Sequence, residues 1–418
     1  MIIIQKGGVI VNKDKIIEYF KCGCKSPEMM ELGVEIEHFI VDKDTMRSIN
    51  YYEEHGVEDI LNRFIKIIKG EPIYSEERLV GILTDDYNIT IEPAAQFEIS
   101  IKKCSSIEEI MKIYEGFIKS LSPILDEYGY KMVNLGYHPV SSIKDMPLIP
   151  KKRYKYMDKY FLDKHTNGAN MMRGTASIHI SIDYYNEEDF INKYRLAYFL
   201  GPVIKLLTEN TPVFEGKKNE ERFKRSSYVW KNVDNDRCGA ISDIFEEGFG
   251  FGSYADFIMN MPIILDVEDD GTHYVGDDTP SVIWKDKEMT IENIEHVISM
   301  AFLDVRLKKY IEIRFADSMP MEYMLAYATF IKGLFINEEN IKHILEKYKI
   351  HDKDLSMAEN NLKMNGFSGE VYGQNVCDLA RELLDIAKSS VQIEEQSYLE
   401  PFYNIIDSKK TLAERWCV

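Results

Sequence analysis

Cysteine is scarce in this 418-residue sequence, with six residues, Cys22, Cys24, Cys104, Cys238, Cys377 and Cys417. They are scattered along a long chain, which argues against a disulfide framework. Cys22-Gly23-Cys24 lacks the two-residue gap of a redox or zinc motif, and no second pair follows, so both read as plain thiols. Basic charge is short as well: 51 Lys and Arg stand against 70 Asp and Glu, a net charge of −19. Wrapping nucleic acid or docking on an anionic membrane needs the opposite balance, so neither partner is expected. A small anionic ligand stays open, because metal ions or a local basic pocket can invert the sign at one site. No uninterrupted apolar run approaches the roughly 20 residues of a membrane span. The stretch Met1-Ile2-Ile3-Ile4-Gln5-Lys6-Gly7-Gly8 is too short for a signal-peptide core and has no basic region before it; the expected location is the cytoplasm. There is no low-complexity segment, long linker or internal repeat. A G-x-x-x-x-G-K-[ST] phosphate loop is missing too. Gly248-Phe249-Gly250-Phe251-Gly252 has close glycines at the wrong spacing and reads as a turn or packed loop.

What is present is the material of a large globular protein, in two or three domains or one composite one. Helical and strand signals alternate. Lys13 to Phe20 and Val57 to Lys69 place apolar residues at helical spacing. Ser105-Ser106 followed by Glu108-Glu109 predicts a capped helix to about Tyr128. Another helix is expected after Asn186, running to about Asn210 with a kink at Gly201-Pro202. From Met321 onward the pattern is mainly helical. The basic run Lys151-Lys152-Arg153-Tyr154-Lys155 follows Pro147 and Pro150, and its start is expected at a turn.

Four strand-like segments carry the chemical signal. Residues two apart on a strand share a face. In Gly33 to Val41, Glu35 and Glu37 share one face against Val34 and Ile36. In Ile91 to Ser100, Glu92, Gln96, Glu98 and Ser100 have one parity, with Pro93 positioned to end or bulge the strand. In Ala176 to Asp183, Ser177, His179, Ser181 and Asp183 oppose Ile178, Ile180 and Ile182. In Tyr310 to Phe315, Glu312 and Arg314 oppose Ile311, Ile313 and Phe315. Any one of these fits a half-solvated antiparallel strand. Together their polar faces offer five glutamates and an aspartate, a histidine and an arginine, with no lysine. Carboxylates converging on one face repel unless cations stand between them. Carboxylates with one imidazole and no thiolate suit Mg²⁺ or Mn²⁺ rather than structural zinc. Mg²⁺ usually shares its shell with substrate phosphates, which points to a nucleoside triphosphate.

Five motifs stand in a characteristic order: Gly33-Val34-Glu35-Ile36-Glu37-His38-Phe39, Glu92-Pro93-Ala94-Ala95-Gln96-Phe97-Glu98, Met171-Met172-Arg173-Gly174-Thr175, Arg225-Ser226-Ser227-Tyr228-Val229-Trp230, and Lys309-Tyr310-Ile311-Glu312-Ile313-Arg314-Phe315-Ala316-Asp317. This series resembles glutamate–cysteine ligases of the plant and proteobacterial type, whose motifs read G-x-E-x-E-K-F, L-E-P-G-G-Q-F-E-L-S, M-P-K-G-R-Y, R-S-x-I-W and Y-L-E-M-R-G-A-D. The similarity runs from about residue 10 to residue 335 and resumes near Thr411-Leu412-Ala413-Glu414. It implies an α+β fold related to the catalytic domain of glutamine synthetase: a curved antiparallel sheet backed by helices, with metal sites on its concave face. Residues 1–335 would form the catalytic core and 336–418 a mainly helical part packed on it.

The resemblance also implies a reaction. ATP phosphorylates the side-chain carboxylate of L-glutamate, and the amine of L-cysteine attacks the γ-glutamyl phosphate. Position by position, it implies that Glu35, Glu37, Glu92, Glu98, His179 and Glu312 bind Mg²⁺, with Mn²⁺ an option. Glu312 and Arg314 would be catalytic, and Arg153, Arg225 and Thr175 would hold substrate. The expected assembly is a monomer or homodimer acting on small molecules. Three departures bear on the amine acceptor: the glycines of the second motif are Ala94 and Ala95, Phe315 replaces the glycine after the last arginine, and Arg173-Gly174 reverses the usual apolar-Arg order. Alternatives stay open. They are the same ligation with another amine, a phosphotransferase that stops at phosphorylation, and a non-catalytic metal or nucleotide sensor.

Overall fold

A computed structural model of the chain describes residues 8–27, 31–268 and 271–416. Met1 to Gly7 of the opening apolar patch and Cys417 lie outside the described residues. The other five cysteines are free thiols, Cys22 and Cys24 among them.

The centre is a nine-stranded sheet. Its strands are β1 (Leu32–Asp42), β2 (Glu71–Ser75), β3 (Arg78–Leu83), β4 (Tyr87–Ile91), β5 (Phe97–Cys104), β6 (Tyr130–Val133), β7 (Ser177–Ile182), β8 (Val305–Leu307) and β9 (Ile311–Asp317). The order is β8-β9-β7-β1-β5-β4-β3-β2, with β6 paired to the far end of β1, and every pairing is antiparallel. Register carries the chemistry. Glu37 lies opposite Glu98, Glu35 lies between His179 and Ser100, Glu98 also faces Thr90, and Glu312 lies between Ser181 and Arg306.

The opposite parity, Val34, Ile36, Ile99, Ile178, Ile180, Ile311 and Ile313, is fully buried. It packs beneath helices α3 (Ile107–Glu127) and α6 (Glu187–Leu207) and the helix Met321–Phe335. α3 and α6 each begin where a side chain satisfies a free backbone donor. Ser106 Oγ accepts from Glu109 N at 3.2 Å, and Glu109 returns the contact to Ser105 N at 3.1 Å. Asn186 Oδ1 accepts from Asp189 N at 2.8 Å. Helix α6 is not broken at Gly201-Pro202; it continues to Leu207. The remaining helices up to α6 are α1 (Gly8–Lys21), α2 (Val57–Ile68), α4 (Lys152–Asp163) and α5 (Gly168–Gly174).

One expectation needs correction. Ile91 to Ser100 is not one strand. β4 ends at Ile91 and β5 begins at Phe97, and the chain reverses between them. Glu92 N donates to Gln96 O at 2.9 Å and Ala95 N to Glu92 O at 3.0 Å. Pro93 cannot donate to a ladder, and Ala95 takes φ +72°, a turn conformation. Glu92 therefore sits in a hairpin turn rather than on a strand face.

The helices after residue 335 share the core of the sheet: a single cluster of buried apolar side chains extends from Ile16 to Leu412.

Candidate active site

The polar face of the sheet is the floor of a cleft of about 400 Å³. β1 supplies Glu35 and Glu37, the β4–β5 turn Glu92, β5 Glu98, β7 His179 and β9 Arg314. The roof comes from α4 and α5, with Arg153, Tyr154, Met157, Met171 and Met172, and from Trp230 and Phe302. The carboxylates expected to converge from parity and residue type, Glu35, Glu37 and Glu98, lie together in the cleft, and Glu92 joins them from the turn.

Three further cationic residues line the cleft: Arg306 and Lys308, which were not anticipated, and Lys151, from the basic run that follows Pro150 and is a candidate for the anion-receiving side. The sequence signal was available for two of them, since Val305-Arg306-Leu307-Lys308 alternates as the neighbouring strand does. With Arg153 and Arg314, five cations stand against four lining carboxylates and the buried Glu312, an even formal balance that turns basic because Glu37 and Glu98 are shifted upward, on a molecule of charge −19. An anionic substrate meets attraction there rather than repulsion.

The site divides into two electrostatic halves. In the first, Glu312 is fully buried and enclosed by cations. Arg306 Nη2 donates to it at 2.7 Å, Lys308 Nζ at 2.9 Å and Arg314 Nη1 at 3.0 Å. Burial would raise this carboxyl, yet the three cations together hold it well below the usual carboxylate range. Next to it His179 lies between Glu35 Oε2, 3.0 Å from Nδ1, and Ser177 Oγ, 2.8 Å from Nε2. A carboxylate only accepts, so Nδ1 carries the proton and Nε2 accepts. Burial, with Arg314 adding to it, lowers His179 to about 4, so the imidazole is neutral. Glu35 is shifted downward: burial, the largest influence, opposes ionisation, and the His179 contacts and the Lys308 charge together outweigh it.

In the second half the carboxylates lack such partners. Glu37 is raised to about 8 by burial and by Glu92. Glu98 is pushed well above its ordinary value by burial, then by Glu35, Glu92 and Glu37, although Thr90 and Ser100 donate to it at 2.7 and 2.8 Å. Glu92 is raised by burial, with Lys151 opposing. Carboxylates facing each other across a ladder, as Glu37 and Glu98 do, are unfavourable without a proton or cation between them. An all-oxygen set of this kind suits a hard divalent cation. Among the described residues, no group of three or more His, Cys, Asp or Glu side chains is gathered as it stands into an arrangement that could hold a metal ion.

The remaining anticipated residues separate. Arg153 lines the cleft and spends two donors on Ser299, at 2.9 and 3.2 Å, leaving others free. Thr175 lines it too, its hydroxyl donating to Met171 O at 2.7 Å. Arg225 does not line the cleft. It is buried in a π-helical turn (Lys224–Val229), with Nε 2.5 Å from Asp317 and Nη2 2.6 Å from Phe315 O. Arg173 is likewise bound, to Asp158 at 2.5 Å and to Met146 O at 3.2 Å.

An antiparallel sheet presents carboxylates, a neutral histidine and a ring of arginines and lysines beneath a helical roof, a charge pattern suited to anionic ligands. Comparison with known proteins places the chain. The family model described as glutamate–cysteine ligase family 2 (GCS2) matches residues 31–417. The chain belongs to this family. The chloroplastic glutamate–cysteine ligase A of Oryza sativa subsp. japonica is 27% identical over 420 residues, covering 97% of this chain and 84% of the relative. The chloroplastic enzyme of Arabidopsis thaliana is 25% identical over 408 residues, covering 95% and 77%. Among solved structures, a glutamate–cysteine ligase of Francisella tularensis in complex with AMP superposes with TM-score 0.58 at 12% identity, covering 92% of this chain and 84% of that one. At that identity the likeness establishes the fold.

Proposed function

We propose that this protein joins the γ-carboxylate of L-glutamate to the amine of L-cysteine, with ATP consumed through a γ-glutamyl phosphate. The carrying observation is the cleft of a family member in which five cations and four carboxylates converge. A carboxylate resists an amine because its leaving group would be oxide; phosphorylation makes the leaving group phosphate. The site must bring two anions together, and a locally basic cleft lowers the cost of doing so.

In this reading Arg314 faces the phosphoryl group in transfer and offsets charge as it develops. Arg153 and Lys151 hold anionic groups of the substrates, Arg153 through paired hydrogen bonds. Glu312 acts through its neighbours, fixing the positions of Arg306, Lys308 and Arg314. Glu37, Glu92 and Glu98 would hold Mg²⁺ or Mn²⁺, with Glu35 and His179 beside them; the bound ion would screen the triphosphate. Arg225, on this reading, acts on substrate only by shaping the strand end at Phe315 to Asp317. The reading keeps residues 1–335 as the part that carries the chemistry, with 336–418 packed on it. It also keeps a cytoplasmic location and a monomer or homodimer. Among the described residues no helix is long and apolar enough to cross a membrane.

The test is ADP release with glutamate and a panel of amines, products being weighed by mass spectrometry. Cysteine-dependent ADP release with a product of γ-glutamylcysteine mass is expected. Release without any amine would favour a phosphotransferase. Glu312→Gln is expected to lower turnover by roughly 10²–10³-fold, because the phosphate-facing cations lose their anchor. It also leaves buried cations undercompensated, so melting should fall too. Undiminished turnover in a folded Glu312→Gln protein would remove Glu312 from the site.

A further inference from the structure

A second cavity, of about 280 Å³, lies behind the cleft, and the reaction above does not use it. Its walls include Tyr198, Gly201, Lys205, Trp230, Phe315 and Glu359. Between it and the cleft remains a neck of about 10 Å³, with His179 and Arg314 on the cleft side and Lys205, Asp304 and Phe315 on the other. A water molecule needs about 10–15 Å³ in this measure, so the neck passes nothing larger.

Phe315 lines both the neck and the cavity behind it, and Trp230 borders the cleft, the neck and the cavity alike. The Phe315 ring is 4% exposed and stands edge-on to Tyr198 at 5.9 Å, with Lys205 Nζ 5.4 Å from its centroid. Gly201 of α6 makes room for it: a Cβ there would stand 2.8 Å from Phe315 Cζ. The motif that the last strand resembles has glycine at this position, where this chain carries a ring. Behind the ring, Lys205 lies 3.0 Å from Glu359 and 3.4 Å from Asp304, so its charge is more than offset. Aromatic faces with surplus carboxylate favour a cationic or aromatic group.

We propose that Phe315 determines acceptor specificity: its ring, seated on Gly201, closes the back of the cleft and confines the amine acceptor to short side chains. The cavity behind it suits the longer side chain of an amine acceptor with a cationic or aromatic end. This deepens the ligase reading and rests on it for its kinetic test.

Phe315→Ala removes the ring, and Phe315→Leu retains most of its volume. The acceptors compared are cysteine, 2-aminobutyrate, lysine, arginine and phenylalanine. In Phe315→Ala, kcat/KM for the long acceptors relative to cysteine is expected to rise by about tenfold or more, the scale on which a hydrophobic pocket discriminates; Phe315→Leu should stay near the wild-type ratio. An unchanged ratio in folded Phe315→Ala overturns the proposal. So does an equal loss for every acceptor, which a merely structural role would produce. A second measurement needs no turnover: crystals of both proteins soaked with 4-phenylbutylamine. The probe is expected to thread the neck beside Trp230 and Arg314 in Phe315→Ala and to be excluded from it in the wild type. A probe confined to the back cavity in both proteins, or absent from Phe315→Ala, overturns the barrier even if the ligase reading itself has failed.

Discussion

At the residue scale, buried titratable groups outside the cleft make stability depend on pH. His138 is fully buried, edge-on to Phe39 at a centroid distance of 5.0 Å. Its Nδ1 accepts from Ser141 N at 3.0 Å and Val140 N at 3.3 Å, while Nε2 has no partner. Protonating Nδ1 would put a donor against two donors, and burial lowers the group from 6.5 to about 3. The folded state thus refuses a proton that the unfolded chain accepts. Its contribution is fully present above about pH 6.5 and is lost as pH falls toward 3, on the order of 5 kcal/mol over the whole window. His138→Asn, whose Oδ1 can accept the same backbone donors, should flatten the loss between about pH 6.5 and 4.5, where most carboxylates remain ionised. Urea unfolding across that range checks it; an acid limb as steep as the wild type's would assign the sensitivity elsewhere. At this scale the sequence was informative wherever residue type and parity act together, as for Glu35, Glu37, Glu98 and His179. It could not foresee that Arg225 is bound to Asp317, because those residues lie far apart in the chain and only packing decides who pairs with whom.

At the scale of elements, the β4–β5 turn is the sharpest case. The strand signals on either side were legible, and so was the tendency of Pro93 to end one. The reversal was not, because alternating parity continues through Glu92, Gln96 and Glu98 as though the chain ran straight. Helix ends fared better: Ser106 and Asn186 announce their caps chemically, independent of tertiary context. In the turn, Ala95 holds φ +72° with its methyl 3% exposed. Left-handed backbone costs a non-glycine residue about 1–2 kcal/mol. Ala95→Gly relieves that, but loses about 0.8 kcal/mol of methyl burial and roughly 0.4–1 kcal/mol through greater freedom of the unfolded chain. The terms nearly cancel, so Ala95→Gly should change stability by less than about 1 kcal/mol. Ala95→Val has no such compensation: a β-branched side chain is far harder to hold at positive φ, and about 2 kcal/mol or more should be lost. Because the turn places Glu92 in the cleft, ADP release should fall with Val and persist with Gly. Equal stability of the two variants would mean that the turn relaxes freely.

For the whole molecule, the question is whether residues 1–335 can stand alone. The helix Met321–Phe335 is buried nearly all round, and an all-round buried helix needs covering on every side. Much of that covering comes from the helix Val376–Ser390. Their approach is close enough that a Cβ on Gly333 would lie 2.5 Å from Ala387 O and 2.7 Å from its Cα. Polar contacts cross the same boundary. Lys332 Nζ meets Glu395 at 2.7 Å, and Glu395 also accepts from Ile107 N at 2.9 Å, at the start of α3. Lys205, fully buried beneath Phe315, shares its charge with Glu359, which is lowered to about 2: burial opposes that shift, and Lys205 and Ser227 outweigh it. Ending the chain at Phe335 would strip an apolar helix face and leave Lys205 with Asp304 alone; breaking a buried ion pair costs about 3–5 kcal/mol, a large part of a typical domain's net stability. A 1–335 fragment is therefore expected to bind a hydrophobic dye, to lack a cooperative melt and to release no ADP. Adding residues 336–418 as a separate chain should partly reverse all three defects, since packing and ion pairs, rather than the single peptide bond at residue 335, hold the two parts together. A soluble 1–335 fragment with a sharp melt and glutamate-dependent ADP release would instead make the C-terminal helices an appendage, despite the core they share.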